Sequence, residues 1–576
     1  MPRRRRRPPA FPAGGRPRQA GRSTPSQPQG LTAVQYWQLR VDHARRQRQE
    51  WWEFYHVDML AEQYTGHIWQ ALETWEEGGP PHINKFWPTI QAMKPGMLSQ
   101  SPVFFVKPTG RYAEELVHEG GRLAEGLLNT IVRQDSHFKF AAKFGLHQAF
   151  FSLGILKALY DPRTERNPEA GEPLSAVDEA GNPRVDPNTG LIMPLLDEQT
   201  GEPITQPERI MVDEVYRWQW VDARTFLLPD EGPDMLRWTW IGEEITLLLS
   251  DAKEDERFPA ELRNQLRPIP HERLLGQDEG DATSLVSPEE YVTYVELWDI
   301  REKRLRILAE HQVFSSTRFL ADLDYPDGVE DHPYSVLMLH PEIAPKPKAW
   351  PVPMTWNWLP LQREYNIRRQ QLIEGAKRSA RKIYYDDSTF QNTDEAQRAL
   401  QSNVDMEGVK LLDMSRPPVT LADPPVSGNV FQDLSILEND WRTVTGQSGA
   451  RLSDPSAGTA TEATLEENAA KMRDSEMRDT VQEWVANAGR KMLQLLRGTL
   501  TLGVWVKLRN VRDSEFRQYL ARVYGPQVAG LAQLFPGARQ AFLETYGQEK
   551  WERITREALQ FEADVGVTPG TQTFKA

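Results

Sequence analysis

The spacing of apolar residues along this chain changes several times, and each change marks a boundary. From 31 to 74, large side chains recur at helical spacing through "AVQYWQLRVDHARRQRQEWWEFYHVDMLAEQYTG", which predicts helix. Pro80 and Pro81 break that pattern. A short helix carrying Ile83, Trp87, Ile90 and Met93 is expected next, followed by a strand at 103–106. Helices at about 112–134 and 137–152 follow. Gly154 ends the second, and 155–160 reads as strand.

Between 161 and 209 the clusters "DEAGNP", "DPNTG" and "DEQTGEP" separate short apolar pieces, as in an exposed hairpin excursion. Residues 216–228 alternate, with Trp218 and Trp220 on one face of an expected strand. Residues 241–265 read as mixed helix. "YVTYVELWDIREKRLRILAEHQVF" predicts two strands joined at a charged turn.

A helix is expected over 359–385. Its apolar side carries Leu361, Tyr365, Leu372, Ala376, Ala380 and Ile383; its other side carries Arg363, Arg369, Lys377, Arg378, Arg381 and Lys382. Short strands and turns fill 386–425, and 429–445 is helical again. The small, polar stretch "TVTGQSGARLSDPSAGTATEAT" comes next. Beyond it, 462–496 repeats apolar residues at i, i+4 and i+7 through Met477, Val481, Trp484, Ala488 and Met492. About 35 residues at 1.5 Å each make a helix of roughly 50 Å. The segments "EFRQYLARVYG", "GARQAFLETYG" and "KWERITREALQF" make 504–576 read as mainly helical, with a frayed last dozen residues.

Composition narrows the chemistry. A length of 576 residues exceeds one compact core and predicts several domains. Cysteine is absent, which excludes disulfides, thiolate-bound metals and thiol catalysis. No run of about 18 apolar residues occurs, so no membrane helix is expected. "MPRRRRRPPAFPAGGRPRQAGR" has charge but no apolar stretch, so residues 1–30 are expected to be a disordered basic tail and not a secretory leader. The net charge of −14 argues against a protein that grips duplex DNA over a large surface.

Catalytic signatures are missing. Neither G-x-x-x-x-G-K-[ST], G-x-G-x-x-G nor H-E-x-x-H occurs. In "GQSGA", Gly449 follows Ser448 directly, so the spacing of a nucleophile elbow is not met. A phosphate cradle at 456–461 lacks its lysine, and a helix cap at Thr461 explains "TATEAT". "YYDD" at 384–387 has the carboxylates of a magnesium site, but reads more simply as a charged helix exit. Neither cofactor nor metal is expected.

The order of the pieces carries more information than any one motif. "HINKFWPTIQAMKPGMLSQSPVFFVKP", "SLGILKALYDP", "LPLQREYNIRRQQ" and "TVTGQSGARLSDPSAGTATEAT" with "MRDSEMRDTVQEW" follow one another. Together they resemble the portal proteins of tailed bacteriophages, of the short-tailed type, over about residues 35–500. The resemblance implies an α+β, mostly α subunit with wing, stem helices, clip, tunnel loop and short helical crown, assembled as a ring, a dodecamer, around a DNA channel. It implies a wing at 31–350 bearing the hairpin-rich insertion 161–209, and stem helices at 351–382 and 426–446. The clip would be 383–425, the tunnel loop 447–461, the long wing helix 462–503, the crown 504–565, and a disordered tail 566–576.

The resemblance implies no catalytic activity. It places Gln447, Ser448, Arg451, Asp454 and Ser456 of the tunnel loop, and Lys377, Arg378, Arg381 and Lys382 of the stem, along the DNA channel. It assigns docking of terminase and connector to Asp386, Asp387, Asp394, Glu395 and Arg398 of the clip. The implied partners are identical subunits, double-stranded DNA, the terminase large subunit, the major capsid protein and scaffold, and a head–tail adaptor, at the portal vertex of a virion assembled in the host cytoplasm. Two other readings compete: a nucleic-acid-processing enzyme subunit, which would need an ATP site or carboxylate metal cluster, and another head–tail adaptor ring, usually a much shorter chain.

Overall fold

The computed structural model describes residues 31–66, 83–98, 102–108, 114–134, 136–168, 170–173, 193–195, 203–206, 209–255, 257–269, 290–326, 328–341, 349–378, 382–384, 419–421, 428–446, 460–501, 504–508, 550–554, 559 and 563–569. These residues form a mixed helix and sheet structure, the α+β class expected. In chain order the helices are α1 (Ala33–Phe54), α2 (Val57–Thr65), α3 (Phe86–Met97), α4 (Glu114–Gln134), α5 (Ser136–Ala149), α6 (Leu249–Glu254), α7 (Ala260–Arg263), α8 (Leu359–Arg378), α9 (Gly428–Thr445) and α10 (Ala460–Thr499). The strands are β1 (Pro102–Pro108), β2 (Gly154–Arg166), β3 (Arg209–Trp220), β4 (Phe226–Leu227), β5 (Trp240–Leu248), β6 (Tyr291–Asp299), β7 (Arg304–Ala309), β8 (Ala321–Asp324), β9 (Tyr334–Leu337), β10 (Lys382–Tyr384), β11 (Val419–Leu421), β12 (Val504–Leu508), β13 (Lys550–Ile554) and β14 (Ala563–Pro569).

The chain divides into two compact units. The first comprises Met1–Gln47, Thr225–Glu231 and Met235–Tyr325; the second comprises Arg48–Arg224, Gly232–Asp234 and Pro326–Ala576. The stretch 31–350, expected as one wing, is therefore shared between them.

In the first unit, β4-β5-β6-β7-β8 make an antiparallel sheet. Alternation along β6 sends Val292 and Tyr294 to one face and Val295 and Leu297 to the other. Both faces are covered, so β6 is buried along nearly its whole length. Val34, Trp37, Val41 and Ala44 of α1 recur at helical spacing and pack on Trp240, Val295 and Leu297. Leu249, Ala252 and Leu262 of α6 and α7 cover Val292, Tyr294 and Ile307 on the opposite face.

In the second unit, the sheet β3-β2-β9 carries α5 and the later part of α10. From Val481 onward α10 buries Trp484, Val485, Ala488, Met492 and Leu496. Polar tips are paired where they are buried. The Trp484 indole N–H donates to Ser335 O (3.0 Å), Ser335 Oγ donates to Trp484 O (2.7 Å), and the Trp218 indole donates to Ala488 O (3.1 Å). Strand β1 pairs antiparallel with β14, and this ribbon packs on α4 and α10. Asn129 of α4 clasps both the N–H and the carbonyl of Phe104.

Several expectations need correction. Helix over 31–74 breaks after Phe54, because His56 takes a left-handed conformation with φ 46°. The strand expected at 216–228 stops at Trp220, and Phe226–Leu227 joins the other unit's sheet. Of 241–265, read as mixed helix, residues 241–248 belong to a strand between β4 and β6, and helix among the described residues is confined to α6 and α7. The helix expected to run to 385 ends at Arg378, and Lys382–Tyr384 pairs with Val419–Leu421, which takes Lys382 and Ile383 off the helix. In the segment expected as a helical crown, 504–508 and 550–554 are paired strands, and Gly566–Pro569 of the expected tail belongs to β14. "EFRQYLARVYG", "GARQAFLETYG", residues 1–30 and most of the insertion lie outside the described residues.

Candidate functional site

The regions assigned by resemblance to stem, clip and long wing helix are represented by α8 and α9, the β10–β11 ribbon, and α10. The foundation of α8 and α9 is a set of contacts with residues 83–89. Gln362 of α8 is 1% exposed; its amide N–H donates to Ile83 O (2.6 Å), and its carbonyl accepts from Lys85 N (3.0 Å). One turn later, Asn366 Oδ1 accepts from Ile83 N (3.2 Å). Two amides at i and i+4 share a helix face, so together they hold α8 to the backbone that leads into α3.

Helix α9 is fixed to the same place. The Trp441 indole N–H donates to Thr89 Oγ1 (3.1 Å), and its ring lies against Phe86 and Trp358. Lys85 joins all three helices. Its Nζ is 2.6 Å from Glu438 Oε1 and 3.9 Å from the centre of the Tyr365 ring. Burial pulls the Lys85 pKa down, and the Glu438 carboxylate acts against it. Burial pushes the Tyr365 hydroxyl up, with Glu438 adding to the effect.

Beyond this base the two helices are bare within the single chain. From Arg363 to Gly375 no side chain of α8 is buried, and Ile367 is 55% exposed. On α9, Phe431, Ile436 and Val444 are exposed. Leu437 and Trp441, on the inward side, are buried. α8 and α9 pack on one another, with Arg368 and Asp433 4.0 Å apart.

The residues chosen from sequence are placed only in part. Lys377 and Arg378 fall in the last turn of α8, and Lys382 opens β10. Arg381, the clip residues Asp386, Asp387, Asp394, Glu395 and Arg398, and the loop residues Gln447, Ser448, Arg451, Asp454 and Ser456 lie outside the described residues. Sequence reasoning missed Lys85, Gln362, Asn366 and Trp441. The amide pair had a faint signal in its i, i+4 spacing; the Lys85–Glu438 contact spans hundreds of residues and had none.

No set of three histidines or carboxylates among the described residues is arranged for a metal ion. His332 is buried, and its Nδ1 accepts from Tyr334 N (3.3 Å). His147 stacks edge-on against Tyr64. Both read as core residues. No described helix is long and apolar enough to cross a membrane. A scan against known protein families finds no match for the chain, and a search of curated proteins finds none either.

Proposed function

We propose that this chain is the subunit of a portal-type ring, set at one capsid vertex, through which double-stranded DNA is packaged and released. The observation that carries the reading is the pair α8 and α9. They flank a small β-ribbon, are clamped at one end by Lys85, Gln362 and Trp441, and leave Ile367, Phe431, Ile436 and Val444 exposed. Identical neighbours in a ring supply the missing cover heterologously, α8 of one subunit against α9 of the next. The 40-residue α10 follows α9 in the order that the portal resemblance implies.

The charge balance suits a sliding duplex. Each neutralised phosphate adds counterion-release affinity. A wholly basic bore, multiplied around a ring, would trap DNA. A chain of net charge −14 with a few cations at Lys377, Arg378, Arg381 and Lys382 keeps the duplex centred and mobile. In this reading Gln447, Ser448, Arg451, Asp454 and Ser456 face the DNA. The segment 383–425, with Asp386, Asp387, Asp394, Glu395 and Arg398, docks the terminase and later the head–tail adaptor, and the subunit needs no catalytic group. The test is negative-stain imaging with native mass spectrometry of the purified chain. A closed ring with an axial hole is expected. A monomer at every concentration, or tight, salt-sensitive DNA binding without sliding, overturns the reading.

A further inference from the structure

Helix α5 has two faces of different character. Phe138, Ala141, Ala142, Leu146 and Ala149 are buried, and Gly145 brings the backbone within van der Waals range of Trp484. On the opposite face Phe140 is 57% and Phe144 42% exposed, their ring centres 4.3 Å apart, with Trp220 5.5 Å beyond Phe144. Lys139 and Lys143 are exposed beside them, and α5 has no acidic residue. An aromatic strip flanked by lysines, one helical turn apart, stands bare on a chain whose net charge is negative.

The rings restrict what fits. Phe140 is tilted 36° against Phe144 and Phe144 54° against Trp220, so the three rings form one joined apolar strip and not separate flat platforms. Such a strip buries apolar side chains of a partner. The lysines add a preference for carboxylates. The fitting occupant is therefore an acidic helix with apolar residues.

The chain contains such a helix. Among the described side chains of α10, burial begins at Val481. The part before it, 460–480, is about 30 Å long at 1.5 Å per residue. By sequence it has Glu462, Glu466, Glu467, Asp474, Glu476 and Asp479 against Lys471, Arg473 and Arg478, with Leu465, Met472 and Met477 as its larger apolar residues. From Ser475 to Thr480, every side chain except Met477 is exposed. Most helical stability in proteins comes from tertiary packing, and among the described side chains of this stretch only Arg478 is hydrogen-bonded to the rest of the chain, through its Nε to Gly96 O (3.0 Å).

We infer that the aromatic–lysine face of α5 receives the acidic first half of α10 from a second copy of the chain. This rests on the ring reading above and specifies two surfaces that meet in it. The contact is heterologous: each subunit offers an arm to one neighbour and a patch to the other, so it closes a ring without a two-fold axis.

The absence of cysteine makes the test clean. Two chains, one tagged and carrying Phe144→Cys, the other carrying a single cysteine in place of Leu465, Met472 or Met477, are co-expressed and oxidised. A disulfide-linked heterodimer is expected from at least one of the three pairings. Lys139→Glu with Lys143→Glu should weaken assembly about tenfold, and adding Glu466→Lys with Glu467→Lys should restore it. A ring seen by imaging with no cross-link at any of the three positions overturns this inference and leaves the ring reading standing. A monomer overturns both. Cross-linking that survives the lysine reversal overturns the role given to charge.

Discussion

Lys85 Nζ lies 2.6 Å from Glu438 Oε1, joining the residue before α3 to the middle of α9. Lys85 is only 11% exposed and Glu438 41%, so losing either partner has unequal consequences. With Glu438→Ala, a mostly buried ammonium is left against the rings of Tyr365 and, farther off, Trp441. With Lys85→Met, water still reaches the carboxylate. We expect Glu438→Ala to cost about 1–2 kcal/mol and Lys85→Met clearly less. Urea unfolding midpoints check this, and the reverse order would show that the pair does not hold α9.

Buried His332 and half-buried His147 set a pH dependence. Burial lowers His147 to about 4, with Lys94 adding. Burial lowers His332 to about 3, with Lys491 adding and Asp331 opposing. Below the unfolded value near 6.5, the unfolded chain binds protons that the folded chain refuses, so stability falls with acidification. For His332 alone the loss reaches about 2 kcal/mol by pH 5. The loss ceases to grow only below the folded values. His332→Asn, which keeps an acceptor for Tyr334 N and cannot titrate, should flatten the stability profile between pH 7 and 5. An unchanged slope would contradict this.

Gly489 lies on the buried side of α10, where an added Cβ would stand 2.5 Å from Phe104 Cε1 and 3.1 Å from Val565 Cγ1. Alanine inside a helix normally gains about 1 kcal/mol over glycine. Here Phe104 is fully buried and has nowhere to move. Gly489→Ala should instead cost about 1–3 kcal/mol. Hydrogen exchange should quicken first in Ala563–Pro569; faster exchange confined to α8 would be the wrong outcome.

If α8 and α9 cover one another between subunits, Ile367→Asp and Ile436→Asp should each shift sedimentation from ring to monomer. Both positions are exposed in the single chain, so monomer stability should change by no more than about 0.5 kcal/mol. A monomer that loses stability instead would place these residues in the subunit's own core.

Deleting 449–456 from the loop should leave ring assembly and thermal unfolding largely intact while DNA packaging or retention fails. Loss of subunit folding would make the loop core structure.

Local pattern was enough for much of the fold. Gly154 as a break, the charged turn between Asp299 and Arg304, and the long helix through Trp484 were readable because neighbours in sequence decide them. Partners far away decided the rest. "WIGEEITLL" contains helix formers, yet becomes β5 because β4 and β6 take both its edges. "KWERI" has an amphipathic helix pattern and pairs instead with Val504–Leu508. Lys382 and Ile383 continue a helical period, but Val419–Leu421 claims them. For the site, the sequence showed Lys377 and Arg378, which fall on α8, but not the foundation of that helix. Lys85 and Glu438 meet only after the intervening chain has folded.

Strand β1 has its partner in β14, about 460 residues later in the chain. At ribosomal speeds, Pro102–Pro108 waits roughly twenty to ninety seconds for that partner to be made. During that interval its backbone edge is open to any extended segment, including another nascent copy. A chain cut short anywhere before Ala563 keeps that edge open for good. The β1–β14 ribbon thus marks molecules translated through this point, and separates them from fragments that chaperones and proteases can recognise by an unclosed strand.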